Sequence, residues 1–150
     1  MSMDGSIYDE SYFLHGLTSG KSLYSDYRWM PELTLPMVET VINHLGIVRH
    51  DVILDYGCAR GYVVKAFREM GYWVIGIDVS EWAVANCDPE VAVAMKCTSE
   101  IPDGFDWIIA KDVLEHVENL TTVVEDMLDT ARVGIFVVVP LSPRFGMPYV

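Results

Sequence analysis

Residues 51–78 read DVILDYGCARGYVVKAFREMGYWVIGID, and their order of strand, glycine turn, helix, strand and acid decides the fold. Val52, Ile53 and Leu54 form a continuous apolar run, the pattern of a parallel strand covered on both faces. Asp55 ends the run, and Gly57, Ala59 and Gly61 then alternate with Tyr56, Cys58 and Arg60. Small residues at every second position let the backbone turn sharply and approach a ligand with no Cβ in the way. Val63, Val64, Phe67 and Met70 recur at helical spacing up to a stop signal at Gly71. Trp73 to Ile77 predict a second buried strand, which Asp78 closes. A carboxylate at that position can accept hydrogen bonds from both hydroxyls of a ribose. The stretch reads as the nucleoside-binding half of a doubly wound α/β fold.

The dinucleotide fingerprint needs glycines at i, i+2 and i+5. Here the small residues fall at i, i+2 and i+4, with Asp55 two positions before the first of them. A carboxylate beside the turn is unfavourable next to a diphosphate. The run D-Y-G-C-A-R-G at 55–61 resembles the acidic glycine-rich motif of class I S-adenosylmethionine (SAM)-dependent methyltransferases. That resemblance implies a cofactor with a sulfonium and an ammonium group, with S-adenosylhomocysteine (SAH) as product. It assigns Asp55, Tyr56, Gly57, Cys58, Ala59 and Gly61 to the cofactor loop, Asp78 to the ribose and Val79 beside it. Ala59 departs from the family pattern, which has glycine there.

A second signal is FDWIIAKDVLEHV at 105–117. An apolar strand, Trp107 to Ala110, releases Lys111 and Asp112 at its C-terminal end, where ligands bind in open α/β sheets. The run D-V-L-E-H-V resembles the D-x-L-E-H segment after the fourth strand in the small-molecule branch of the same methyltransferases. By that resemblance Lys111 and Asp112 line the methyl-transfer site, Lys111 touching the cofactor as well, and His116 is a candidate general base. In the family an acid after the third strand often takes the adenine amino group. Cys97-Thr98-Ser99-Glu100 leaves that role to a hydroxyl or a backbone group, with Ser99 the candidate. Family members also cover the cofactor with a segment before the first strand. Residues 1–33, aromatic and without a sustained period, fit that part, with Tyr12, Tyr27, Arg28 and Trp29 as candidates and Arg28 facing the methionine carboxylate. Packing as a satellite core explains each of those aromatics equally well.

Around these signals, Leu33 to Leu45 predicts a helix capped by Thr34 and stopped by Gly46. Ser80 caps a short helix through Ala85, residues 91–96 make the third strand and Leu120 to Ala131 a helix with Val123, Val124, Met127 and Leu128 inward. Gly134 to Val139 is the fifth strand. The family resemblance, which covers about residues 12–141, implies a Rossmann-like α/β/α sandwich on a mostly parallel sheet of order 3-2-1-4-5, without the two last strands of the full fold. The expected division is a lid at 1–33, the SAM-binding domain at 34–141 and a loop tail at 142–150. An exposed fifth strand would pair with a second copy or hide under the tail.

Composition narrows the function. The formal charge is −12, with ten Lys and Arg scattered among 22 acids, so nucleic acid and anionic membranes are disfavoured partners. No apolar run reaches the ~20 residues of a membrane helix. Cys58, Cys87 and Cys97 fit neither a disulfide frame nor a zinc site, and His44 and His50 have no ligand-spaced partners, so no metal is expected and a cytoplasmic location is. Three functions remain: methyl transfer to a small molecule, a non-catalytic SAM-binding module, and a nicotinamide dehydrogenase. The last lacks both its glycine spacing and a Tyr-x-x-x-Lys pair.

Overall fold

The computed structural model describes residues 4–141. Its parallel strands are β1 (Val52–Tyr56), β2 (Trp73–Asp78), β3 (Met95–Cys97), β4 (Trp107–Lys111) and β5 (Gly134–Val138), in the order β3-β2-β1-β4-β5. Helices α1 (Glu10–Leu14) and α2 (Gly16–Ser19) precede α3 (Pro31–Leu45), then α4 (Tyr62–Glu69), α5 (Glu81–Ala85) and α6 (Leu120–Thr130) alternate with the strands. The architecture is the Rossmann-like one expected.

Two cores flank the sheet because its central strands are apolar on both sides. Ile53, Val74 and Ile109 meet Val38, Val41 and Ile42 of α3 and Val64, Ala66 and Phe67 of α4 on one face. Leu54, Tyr56, Ile77, Ile108 and Ala110 meet Met127 of α6, with Phe105 and Leu114, on the other. Acids pin the strand entries: the Trp107 indole N–H donates to Asp51 at 3.2 Å and the Val52 amide to Asp106 at 2.8 Å. With this edge fixed, the opposite ends of β1, β2 and β4 deliver Asp55, Asp78 and Lys111 to one rim.

Several expectations need correction. Helix α3 starts at Pro31, not Leu33, and its N-cap is Met30, not Thr34, because proline suits the first helical position, where an amide hydrogen has no acceptor. Residues 92–94 form a 3-10 turn, and the third strand occupies 95–97 instead of 91–96. Leu128 points outward, since the buried stripe of α6 runs through Met127, with Val123 and Val124 partly covered. The fifth strand ends at Val138. The expected tail at 142–150 lies outside the described residues.

Candidate active site

The glycine loop is knitted to the end of β2. The amides of Gly57 and Cys58 both donate to the Ile77 carbonyl, at 2.9 and 3.0 Å. The Asp78 carboxylate accepts from the Ala59 amide through one oxygen at 2.7 Å and from the Ser80 amide through the other at 2.8 Å. Burial raises its pKa, and these amide donors oppose the rise. Gly57 has φ +75°, and a Cβ there would lie 2.7 Å from the Cβ of Val113. Ala59 takes φ +48° and Asp112 φ +54°, a left-handed conformation that non-glycine residues seldom adopt and that collects at functional sites.

Asp55, at the end of β1, is 3 % exposed, and its Oδ2 has no hydrogen-bond partner. Burial, reinforced by the Asp78 charge and opposed by Lys111, pushes its pKa up to about 7. Lys111 itself is paired with Asp112, whose amide is tied to the Val138 carbonyl at 2.8 Å.

The N-terminal segment roofs this rim. Its aromatic rings form an edge-to-face chain, with Tyr8–Tyr12 centroids at 5.0 Å, Tyr12–Tyr24 at 5.9 Å and Tyr24–Tyr27 at 5.0 Å. Two side chains, from the loops that follow β1 and β2, hold it down. Buried Ser80 donates its hydroxyl to the Tyr8 carbonyl at 2.5 Å, and Arg60 donates to the Tyr27 carbonyl at 3.1 Å while its Nε reaches Asn86 at 2.8 Å. A cavity of about 380 Å³ remains between roof and rim. Such a volume falls within the range of small-molecule and cofactor sites.

Glycine loop, anchored acid and orphan carboxylate converge at the C-terminal rim of the sheet, and a methyltransferase-domain family model matches residues 33–143. The chain belongs to the methyltransferase domain family. Among curated relatives of this methyltransferase-domain chain is the ubiquinone biosynthesis O-methyltransferase of Azoarcus sp. strain BH72, 26 % identical over 121 residues, 73 % of this chain and 52 % of that one. The protein of the same description from Nitrobacter winogradskyi is 34 % identical over 77 residues, covering 45 % of this chain and 30 % of its own. The chain thus spans 30 % to 52 % of the length of these relatives. Among solved structures, the magnesium protoporphyrin IX methyltransferase of Synechocystis PCC 6803, crystallised with SAM, aligns at TM-score 0.61 and 18 % identity, over 87 % of this chain and 73 % of that one. A SAM-dependent methyltransferase from Aquifex aeolicus aligns at 0.62 and 18 %, over 79 % and 72 %. These structural likenesses establish the fold.

In this methyltransferase domain, the cavity wall includes Tyr12, Tyr27, Arg28, Asp55, Tyr56, Gly57, Cys58, Ala59, Asp78, Val79, Lys111, Asp112 and His116, all singled out from sequence. Three candidates, Ser99, Gly61 and Trp29, stand outside it. Ser99 is displaced by its neighbour Thr98, whose amide continues the sheet by donating to the Asp78 carbonyl at 2.8 Å. Gly61 is needed for packing, since a Cβ there would meet Met95 and Val91 at 2.9 Å. Arg28 lines the cavity, but its guanidinium is paired with Asp26 at 2.5 Å. Trp29 is partly buried against the core, its ring tilted to that of Tyr62 at 5.9 Å and lying under Lys65. Tyr8 and Tyr24 were missed, as were the holding roles of Ser80 and Arg60. Among the described residues no three His, Cys, Asp or Glu could hold a metal ion, and no helix is long and apolar enough to cross a membrane.

Proposed function

We propose that this chain is the cofactor-binding domain of a SAM-dependent methyltransferase acting on a small-molecule acceptor. The orphaned Asp55 carboxylate carries the reading: a buried acid without a partner at the wall of a cavity suits a ligand that brings positive charge. The residues fit SAM. Asp78, aligned by two amides, would accept from the ribose hydroxyls, Gly57, packed against Val113, brings loop backbone to the cavity wall, Val79 and Thr98 flank the adenine side and Asp55 faces the ammonium end. When bound, SAM supplies an electrophilic methyl group on a sulfonium sulfur. The chain's own residues orient and enclose the reactants, and such positioning is worth up to roughly 7–11 kcal/mol in ideal cases. Lys111 and Asp112 fix the rim beside the acceptor, and residues 4–30 act as the lid. His116 would hold the acceptor proton where the acceptor arrives protonated.

Calorimetry tests this. SAH should bind with measurable heat and NAD should give none; heat from NAD alone would overturn the proposal. Methyl-labelled SAM and product analysis would then separate an enzyme from a non-catalytic binding module.

A cytoplasmic location belongs to the same proposal and rests on three free thiols. So does pairing of two copies through β5, whose outer edge has no neighbouring strand among the described residues and which continues into exposed Val139 and Leu141. Sedimentation should then show a dimer, with slowed amide exchange at 135–138. A monomer whose amides exchange freely there would remove the dimer from the reading.

A further inference from the structure

On the reading above, Asp55, Asp78 and the glycine loop belong to the cofactor, and the wall beside them faces an acceptor whose chemical class is still open. That wall consists of Tyr8, Tyr12 and Tyr24 from the lid and Asp112 and His116 from the rim. The Tyr8 ring lies 6.1 Å from the imidazole of His116, so lid and rim meet there. The recorded hydrogen bonds of the three tyrosines run through their backbone: the Tyr8 carbonyl accepts from Ser80, the Tyr12 carbonyl from Ser22 and the Tyr24 carbonyl from Leu17. Among the described residues the three phenol oxygens have no partner.

The charge around these phenols has one sign. Burial pushes the Tyr8 and Tyr24 hydroxyls up to about 12 and that of Tyr12 upward, and the charges add to it: Asp78 on Tyr8 and Tyr12, Glu115 on all three, Asp112 on Tyr24. The cavity's two cationic side chains are already engaged, Lys111 with Asp112 and Arg28 with Asp26. An anionic acceptor would find no open cation here and several carboxylates. An ammonium presents three N–H donors and no acceptor, which matches phenol lone pairs, ring faces and nearby acids.

We propose that the chamber formed by Tyr8, Tyr12, Tyr24, Asp112 and His116, with the Glu115 carboxylate 3.8 Å from the His116 ring behind it, is the acceptor site, and that its acceptor is an amine that arrives as the ammonium ion. His116 is placed to take the proton. The nitrogen lone pair released then forms the N–CH3 bond as the S–CH3 bond breaks, with that bonding pair staying on sulfur.

The test uses three probes of one shape, 2-phenylethylamine, 2-phenylethanol and phenylacetate, titrated into the full chain at pH 7 with and without saturating SAH. The amine should bind at least about tenfold more tightly than the alcohol, lose affinity with added salt and tolerate SAH, while phenylacetate should not bind. Glu115→Gln, which removes a charge beside His116 but outside the cavity wall, should reduce the amine's advantage several-fold and leave SAH affinity unchanged. Equal binding of alcohol and amine, preference for phenylacetate, or competition between amine and SAH would overturn the inference. Failure of SAH itself to bind would instead overturn the methyltransferase reading on which it rests.

Discussion

Asp55→Asn should make cofactor binding indifferent to pH and weaken it by about 10–100-fold, while making the ligand-free protein more stable at pH 8. The native carboxyl is pushed up to about 7 by burial, against 3.8 for an ordinary aspartate. Between those values the native state holds a proton that the unfolded chain has released. Its stabilising contribution is therefore complete below about pH 4 and is lost as pH rises through about 7, a loss on the order of 2–4 kcal/mol. Asparagine keeps the shape without the charge and avoids that loss.

A cationic ligand changes the sign of the problem. It favours the ionised carboxylate, so binding below pH 7 must release a proton, and affinity should rise up to tenfold per pH unit until about pH 7 and then level off. The neighbouring Asp78 and Lys111 pull in opposite directions, so the midpoint reports their balance. SAH titrations from pH 5.5 to 8.5 in buffers of different ionisation enthalpy would measure both the affinity and the proton count. A wild-type affinity that does not change with pH would mean that Asp55 does not face the ammonium group.

What could be read from the sequence divides along the distance over which each interaction acts. β1, the glycine loop, α4 and β2 are contiguous, and their apolar runs and small residues state their geometry locally. So did Asp112, at the end of an equally clear strand. What holds the roof was not legible, because its contacts are remote: Ser80 holds Tyr8 across 72 residues and Arg60 holds Tyr27 across 33. Tyrosines spaced without a period give no hint that their rings stack on one another. The short β3 failed for another reason. Strand side chains alternate, so a small error of register exchanges the residue facing the site for its neighbour, and Ser99 was chosen where Thr98 stands. Pro31 was a legible helix start, overlooked because Thr34 also resembles a cap.

Asp78→Ala should lower SAH affinity by about 10–150-fold, through two losses that a control can separate. The first is the charge-assisted hydrogen bonding of the ribose, worth roughly 1.5–3 kcal/mol. The second is the release of the Ala59 and Ser80 amides, now held at 2.7 and 2.8 Å. Without that anchor, nothing offsets the left-handed backbone of Ala59, which costs an L-residue about 1–2 kcal/mol. Ala59→Gly removes this cost and adds about 0.5–1 kcal/mol of backbone entropy, so alone it should change stability and SAH affinity only slightly. Placed in the Asp78→Ala background, it restores whatever part of the loss came from loop strain and none of the part that came from the ribose. Calorimetric titration of SAH into the wild type, the two single variants and the double variant gives both parts as a cycle. Asp78→Asn should rank with Asp78→Ala, because an amide oriented for one N–H donor turns its own NH2 toward the other. An Asp78→Ala chain that binds SAH as tightly as the wild type would remove the acid from the cofactor site and leave it as a loop anchor alone.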